Sequence, residues 1–394
     1  MINEYHLLYI TNNVMLSFIR ENKIKVPNCS YTAQNLANVI NDYATKSTQN
    51  TNLVKSKINE WMTQGRKKVL FRYFNDELCF DRNQTDNWRS CIYELFIVEN
   101  TDGLNDIKLS SDKIRCLVNL ECIADNNVLK SIKFTFVEKV KQRIKDTEVY
   151  KEIPLPVFIE INLELLEIIA RVCVKSDLYR ISGEKIEEIK VAQEILEDVL
   201  GKLRIDTSIS AVQKAELQRI IYSIHNEITD LPEEIVAKAD SINEEINCFI
   251  DVIAEKIELI DDETNKEEIG LGIKNVILKH IISMYDDKKI FEEGKYAIST
   301  GLDGSGLSMS KFQFHAPASE PVQSNPEYQN IRNMLEDAEK IKKDVILWNS
   351  NVIPDIKIRM KMYVHQDGYI QICFEQYVYE EDIQNVLSKI REFK

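Results

Sequence analysis

Glycine and proline are scarce in this chain. Eleven Gly and eight Pro among 394 residues leave little material for long flexible linkers or a Pro/Gly-rich tract. Histidine is scarcer still and scattered, at His6, His225, His280, His315 and His365, so the clustered ligands of a zinc site are missing. The eight cysteines include no Cys-x-x-Cys pair. Most sit in apolar runs, as Cys173 does between Val172 and Val174. They read as small buried hydrophobes of a reducing compartment, with no disulfide framework and no metal. No run reaches the roughly 20 apolar residues that a membrane-spanning helix needs. The start of the chain, interrupted by Asn3, Glu4, His6, Asn12 and Asn13, lacks the apolar core of a signal peptide. The expectation is a soluble cytoplasmic protein without membrane contact. Neither a Gly-x-Ser-x-Gly elbow nor a Gly-Lys-Ser/Thr phosphate loop occurs, and no cofactor is expected.

What is present is a globular balance, 44% hydrophobic and 29% charged, over a length that suggests two or three domains. The net charge of −14 is localised: residues 151–300 carry 18 basic against 32 acidic residues, whereas residues 1–65 and 66–150 are close to neutral. A non-specific nucleic-acid binder needs a basic face, which the middle of the chain does not have.

The periodicities predict an α+β chain: N-terminal helices, a β-rich region, a central acidic helical bundle, and a C-terminal β-hairpin plus helix. The segments are an N-terminal helical part (1–65), a β-rich domain (66–180), the acidic bundle (181–293), a loop or linker (294–326) and a C-terminal α/β part (327–394). Helices are expected over residues 5–22, from the cap Thr32 to Ile40, and from Leu53 to Trp61 with Gly65 as C-terminal cap. Strands are expected at 91–98, 114–123, 131–136, 157–163 and 168–174, with a helix as the competing reading for 163–174. Phe158, Glu160 and Asn162 there alternate with Ile159, Ile161 and Leu163. In the bundle, Asp230, Pro232 and Glu233 look like a capped helix start. Ile235, Ala239, Ile242, Ile246, Phe249, Ile253, Ile257 and Ile260 then follow a heptad-like seam, with Ile246, Phe249, Ile253 and Ile257 expected to be buried. Asp367-Gly368 between alternating apolar residues marks a hairpin.

Four constellations carry candidate chemistry. Residues 5–74 have the helix, helix, helix, strand order of a winged helix-turn-helix. Lys55, Lys57, Arg66, Lys67 and Lys68 would meet phosphates, although the polar run 41–52 is long for the turn. The acidic helices offer Glu187, Glu188, Glu194 and Glu244 between apolar positions, a face for a basic protein partner. Asp355 and Glu375 flank the C-terminal hairpin as the carboxylates of a restriction-type nuclease would, but Tyr377 stands where that motif has lysine. The run Gly301 to Gly306 is glycine-rich with no helix start behind it, and reads as a loop. The leading expectation is a non-enzymatic regulatory or assembly protein that binds a protein partner through the acidic helices. A DNA-binding regulator using residues 5–74 and a metal-dependent nuclease with a degenerate site are the alternatives.

Overall fold

A computed structural model of the chain describes residues 1–26, 30–74, 78–99, 103–106, 113–206, 208, 210–256, 263–305, 311–317 and 319–394. Three helices open it: α1 (Asn12–Glu21), α2 (Ala33–Ala44) and α3 (Thr48–Thr63). Thr32 and Ser47 cap α2 and α3, each accepting a hydrogen bond from the backbone N–H three residues on. Then come β1 (Lys67–Tyr73), α4 (Thr85–Leu95), β2 (Arg115–Asp125), β3 (Val128–Arg143), β4 (Tyr150–Asn162) and β5 (Glu167–Cys173). The short strands β6 (Leu178–Tyr179) and β7 (Lys185–Ile186) precede five helices. These are α5 (Glu188–Lys202), α6 (Ala211–Thr229), α7 (Glu233–Asp240), α8 (Asn243–Lys256) and α9 (Glu263–Ser283). The chain continues through β8 (Ala297–Ser305), β9 (Lys311–His315), α10 (Tyr328–Ala338), β10 (Ile341–Asn349), β11 (Lys357–Val364), β12 (Ile370–Phe374) and α11 (Glu380–Glu392). The fold is mixed α+β with antiparallel pairing throughout the described ladders.

Two compact units divide these elements. The first comprises Met1–Ile209 and Tyr369–Ile383. Its strands run in the order β7-β6-β3-β4-β5-β1-β12, and β2 lies along the rest of the β3 edge. One face of this sheet buries Phe134, Phe136, Ile159, Ile161, Ala170 and Val172 with residues of α4 and α5. The other packs Val137, Phe158 and Cys173 with α1–α3. The β4–β5 hairpin forms although no glycine marks it. The Asn162 side chain accepts from the Glu164 and Leu165 N–H groups at 3.0 Å, and Leu166 takes the positive φ of +54°.

The second unit comprises Ser210–Gly368 and Gln384–Lys394. Its strands run β11-β10-β8-β9, and α6 packs on β8, β10 and β11. Ser210 and Gln213 form a reciprocal capping box at the start of α6, which the sequence reading missed.

Several expectations need correction. Residues 184–286 do not build a single bundle: α5 lies on β4 and β5 in the first unit, α6 lies on the sheet of the second, and only α7–α9 pack helix on helix. An amphipathic face fits a sheet as well as a helix, so its periodicity does not name what covers it. The seam is not continuous either, because a turn at Ser241 and Ile242 separates α7 from α8. It resets the helical phase: Ile246 and Ile250 are buried, Ile253 is half-buried, and Phe249 is 55% exposed. Ile257 and Ile260 lie outside the described residues. Pro232, not Asp230, holds the N-cap position of α7, and the Asp230 carboxylate faces Arg332 at 3.6 Å. Residues 91–98 begin as helix, because Trp88 and Ile92 of α4 are buried one turn apart in the core.

The segment read as a loop contains β8 and β9, and its glycines have a packing role. A Cβ on Gly301 would stand 2.2 Å from His315 Nδ1 and 3.0 Å from the Phe314 carbonyl. One on Gly304 would stand 2.3 Å from the Phe312 ring. Gly301→Val should therefore destabilise the second unit by about 1–3 kcal/mol, the usual scale of overpacking. Urea unfolding checks this, and an unchanged midpoint would mean that β9 does not lie against β8 as described.

Candidate functional site

The five cationic candidates do not form one surface. Successive residues of a strand face opposite ways, so Lys67 and Lys68 of β1 diverge. Lys68 pairs with the buried Glu188 of α5 at 3.1 Å. Lys67 is fully buried, donating to the Met62 carbonyl at 2.7 Å and meeting Cys173 Sγ at 2.7 Å. Burial holds its pKa below the usual lysine range. Arg66 is exposed, Lys57 pairs with Glu60 at 2.7 Å, and Lys55 is half-buried. Only three residues, Thr45 to Ser47, separate α2 from α3, so the turn is shorter than the polar run implied. The strand after α3 is no wing, however, because β1 is paired on both edges, with β5 and β12.

Beside α3 the first unit has a groove of about 750 Å³. Register builds its floor: Asn119, Thr135, Phe158 and Arg171 form one row across β2–β5, and Glu121, Lys133, Glu160 and Ile169 form the next. Lys55, Asn59 and Thr63 of α3 line one wall. Both floor cations are paired. Lys133 pairs with Glu160 at 3.3 Å, and Arg171 with Glu380, in the first turn of α11, at 2.5 Å. The volume is that of a small-molecule pocket, and its described lining mixes both signs of charge.

The four acidic candidates divide between the units. Glu187, Glu188 and Glu194 lie at α5 in the first. Of these, Glu187 is exposed, Glu188 is turned inward onto Lys68, and Glu194 is held by Arg180 at 2.5 Å. Glu244 lies on α8 in the second unit and is exposed. Its neighbours supply the feature that the sequence reading lacked. Phe249 and Val252, one turn apart on α8, are 55% and 50% exposed, while Ile246 and Ile250 of the same helix are 8% and 5% exposed. Ile250 packs against Gly270 of α9, where an added Cβ would come within 3.0 Å of its Cδ1. Glu244, Glu245, Asp251 and Glu255 are exposed around the apolar pair. Residues 233–283, which span α7–α9, carry 13 acidic against 5 basic residues.

The nuclease carboxylates show no such organisation. Asp355 is exposed in the turn before β11, at φ +62°, in the second unit. Glu375 is half-buried after β12, in the first. Among the described residues no group of three or more His, Cys, Asp or Glu is placed to hold a metal ion, and no helix is long and apolar enough to cross a membrane.

A buried polar cluster in the second unit also escaped the sequence reading. His225 Nδ1 donates to Asp344 Oδ2 at 2.8 Å, and Ser299 Oγ donates to Asp344 Oδ1 at 2.6 Å. His225 Nε2 meets the Tyr328 hydroxyl at 2.7 Å, and Thr229 Oγ1 donates to the His225 carbonyl at 2.7 Å. All five residues are buried, and burial pushes Tyr328 well above the usual phenol range. The cluster ties α6 and α10 to β8 and β10.

No known family model matches this chain, and no curated protein matches it. Fold alone does not imply function, which resides in the chemistry of particular surfaces.

Proposed function

We propose that this protein works by binding another protein, and that the exposed face of α8 docks a basic amphipathic helix. The observation that carries this reading is Phe249 with Val252, half-exposed on a helix whose exposed rim is acidic. Aromatic residues are enriched at protein interfaces, and an apolar helical stripe rimmed by charge is how helix-in-groove recognition is built. The carboxylates at Glu244, Glu245 and Glu255 would steer lysine and arginine and set the on-rate. The regulatory or assembly role expected from the sequence is kept, with the docking surface narrowed to the second unit.

A fluorescent leucine/lysine amphipathic helical peptide is a suitable probe for the full-length protein. Association should slow several-fold between low and physiological salt, where charges are screened beyond about 8 Å. Glu244→Lys with Glu245→Lys should slow it further while changing dissociation little. Equal association rates for the wild type and this double variant would remove α8 as the docking face. A salt-sensitive shift of duplex DNA by the full chain, lost with Lys55→Ala and Arg66→Ala, would instead favour the DNA reading, to which the three-residue α2–α3 turn lends support.

A further inference from the structure

Lys67 and Cys173 meet across paired strands. They are register partners on β1 and β5, and Lys67 Nζ stands 2.7 Å from Cys173 Sγ. An N–H···O bond spans about 2.7–3.2 Å, and the larger radius of sulfur sets an N–H···S bond longer than that. The amine and thiol are thus held closer than an ordinary hydrogen bond between them requires. Both are fixed in place. The Met62 carbonyl, at the end of α3, accepts from Nζ at 2.7 Å, and the Phe158 ring centroid lies 5.0 Å from it. Lys67 is fully buried and Cys173 is 6% exposed. Burial disfavours the ammonium form of Lys67 and the Arg171 charge adds to that, against the opposing pull of Cys173 and Glu380, so its pKa lies below the usual lysine range.

We infer that Lys67 and Cys173 form an oxidative cross-link in which one oxygen atom joins Nζ to Sγ. The oxidant is dioxygen. One of its oxygens enters the bridge, making one N–O and one O–S bond. The other leaves as water with one hydrogen from the amine and one from the thiol. Four electrons pass to dioxygen, two from nitrogen, which reaches the hydroxylamine level, and two from sulfur, which reaches the sulfenate level. A direct N–S bond, the sulfenamide known from cysteine oxidation, would require the two strands to close further. A single bridging atom fits the spacing already present. The link would lock β1 to β5 beneath Phe158, on the floor of the groove, and would fix the end of α3 through Met62. This site is independent of the docking reading.

Full-length protein, kept reduced or exposed to dissolved oxygen, is digested without reductant and mapped by mass spectrometry. The oxidised sample should contain the Lys67 and Cys173 peptides joined, heavier than their sum by one oxygen less two hydrogens. Tryptic cleavage after Lys67 should be lost, and dithiothreitol should separate the peptides and restore alkylation of Cys173. Lys67→Arg and Cys173→Ser should each abolish the product, and Cys79→Ser should leave it. Cys79 and Cys91, with sulfurs 3.7 Å apart, provide an internal contrast, because a disulfide loses two hydrogens and gains no oxygen. A Cys173 that stays fully alkylated after oxidation, or a Lys67–Cys173 product without the added oxygen, overturns the inference. The wild-type digest decides the matter alone, so a variant that fails to fold leaves no ambiguity.

Discussion

Asp344→Ala should destabilise the second unit by about 3–5 kcal/mol, the cost of leaving two buried donors without an acceptor beside a new cavity. The carboxylate accepts from His225 and Ser299 at once, and both donors are buried. Alanine leaves two donors without acceptors and a cavity beside them. A unit of this size loses about 2–4 °C per kcal/mol, so the thermal midpoint should fall by very roughly 6–20 °C. Asp344→Asn separates charge from hydrogen bonding. Its carbonyl oxygen can still accept from Ser299. Its amide can donate to His225 Nδ1 if the imidazole changes tautomer and donates from Nε2 to the Tyr328 hydroxyl. The Asn variant should therefore keep most of the stability that Ala loses. Equal losses would show that the negative charge matters beyond its hydrogen bonds. An Asp344→Ala protein that melts with the wild type would mean the cluster is not formed.

Phe249→Asp with Val252→Asp should abolish binding of the basic amphipathic peptide, raising its Kd by at least about a hundredfold, on the scale of losing two interface anchors. The double substitution has diagnostic value because it makes the helix more acidic. Attraction by charge alone would strengthen, whereas docking on the apolar pair would be lost. Fluorescence anisotropy distinguishes these by sign. Both side chains are about half exposed, so the fold should be nearly unaffected, and a far-ultraviolet dichroism spectrum checks that. Tighter peptide binding by the double variant would leave α8 as an acidic surface and nothing more.

How much of this was legible in the sequence depended on what each pattern reports. Strand β4 was readable because alternation, as in Phe158 and Glu160 against Ile159 and Ile161, describes the two faces of a sheet directly, whereas β5, buried on both faces, shows no such alternation. The inward turn of Lys67 was readable too: it shares its face of β1 with Val69 and Phe71, both buried, and counting lysines without counting faces hid this. His225 likewise shares the buried face of α6 with Ile221 and Ile228. The division of the helices between two units was not readable, since apolar spacing fixes which side is covered and is silent about the cover. Gly301 and Gly304 misled for a related reason. Nothing local distinguishes a glycine that bends the chain from one that makes room for His315 or Phe312 on the next strand. The exposure of Phe249 followed from a helix break at Ser241 and Ile242 that carries neither glycine nor proline.

The pairing of β1 with β12 has a consequence for how the protein is made. The first unit includes Tyr369–Ile383, so its sheet is not complete when residue 209 leaves the ribosome. At about 5–20 residues per second, the missing strand arrives roughly 10–30 s later. During that interval one edge of β1, from Lys68 to Phe71, has open backbone donors and acceptors. An unpaired apolar strand edge recruits other strands. Newly made chains are therefore most exposed to mispairing midway through synthesis, and a chaperone acting then would have this edge to cover.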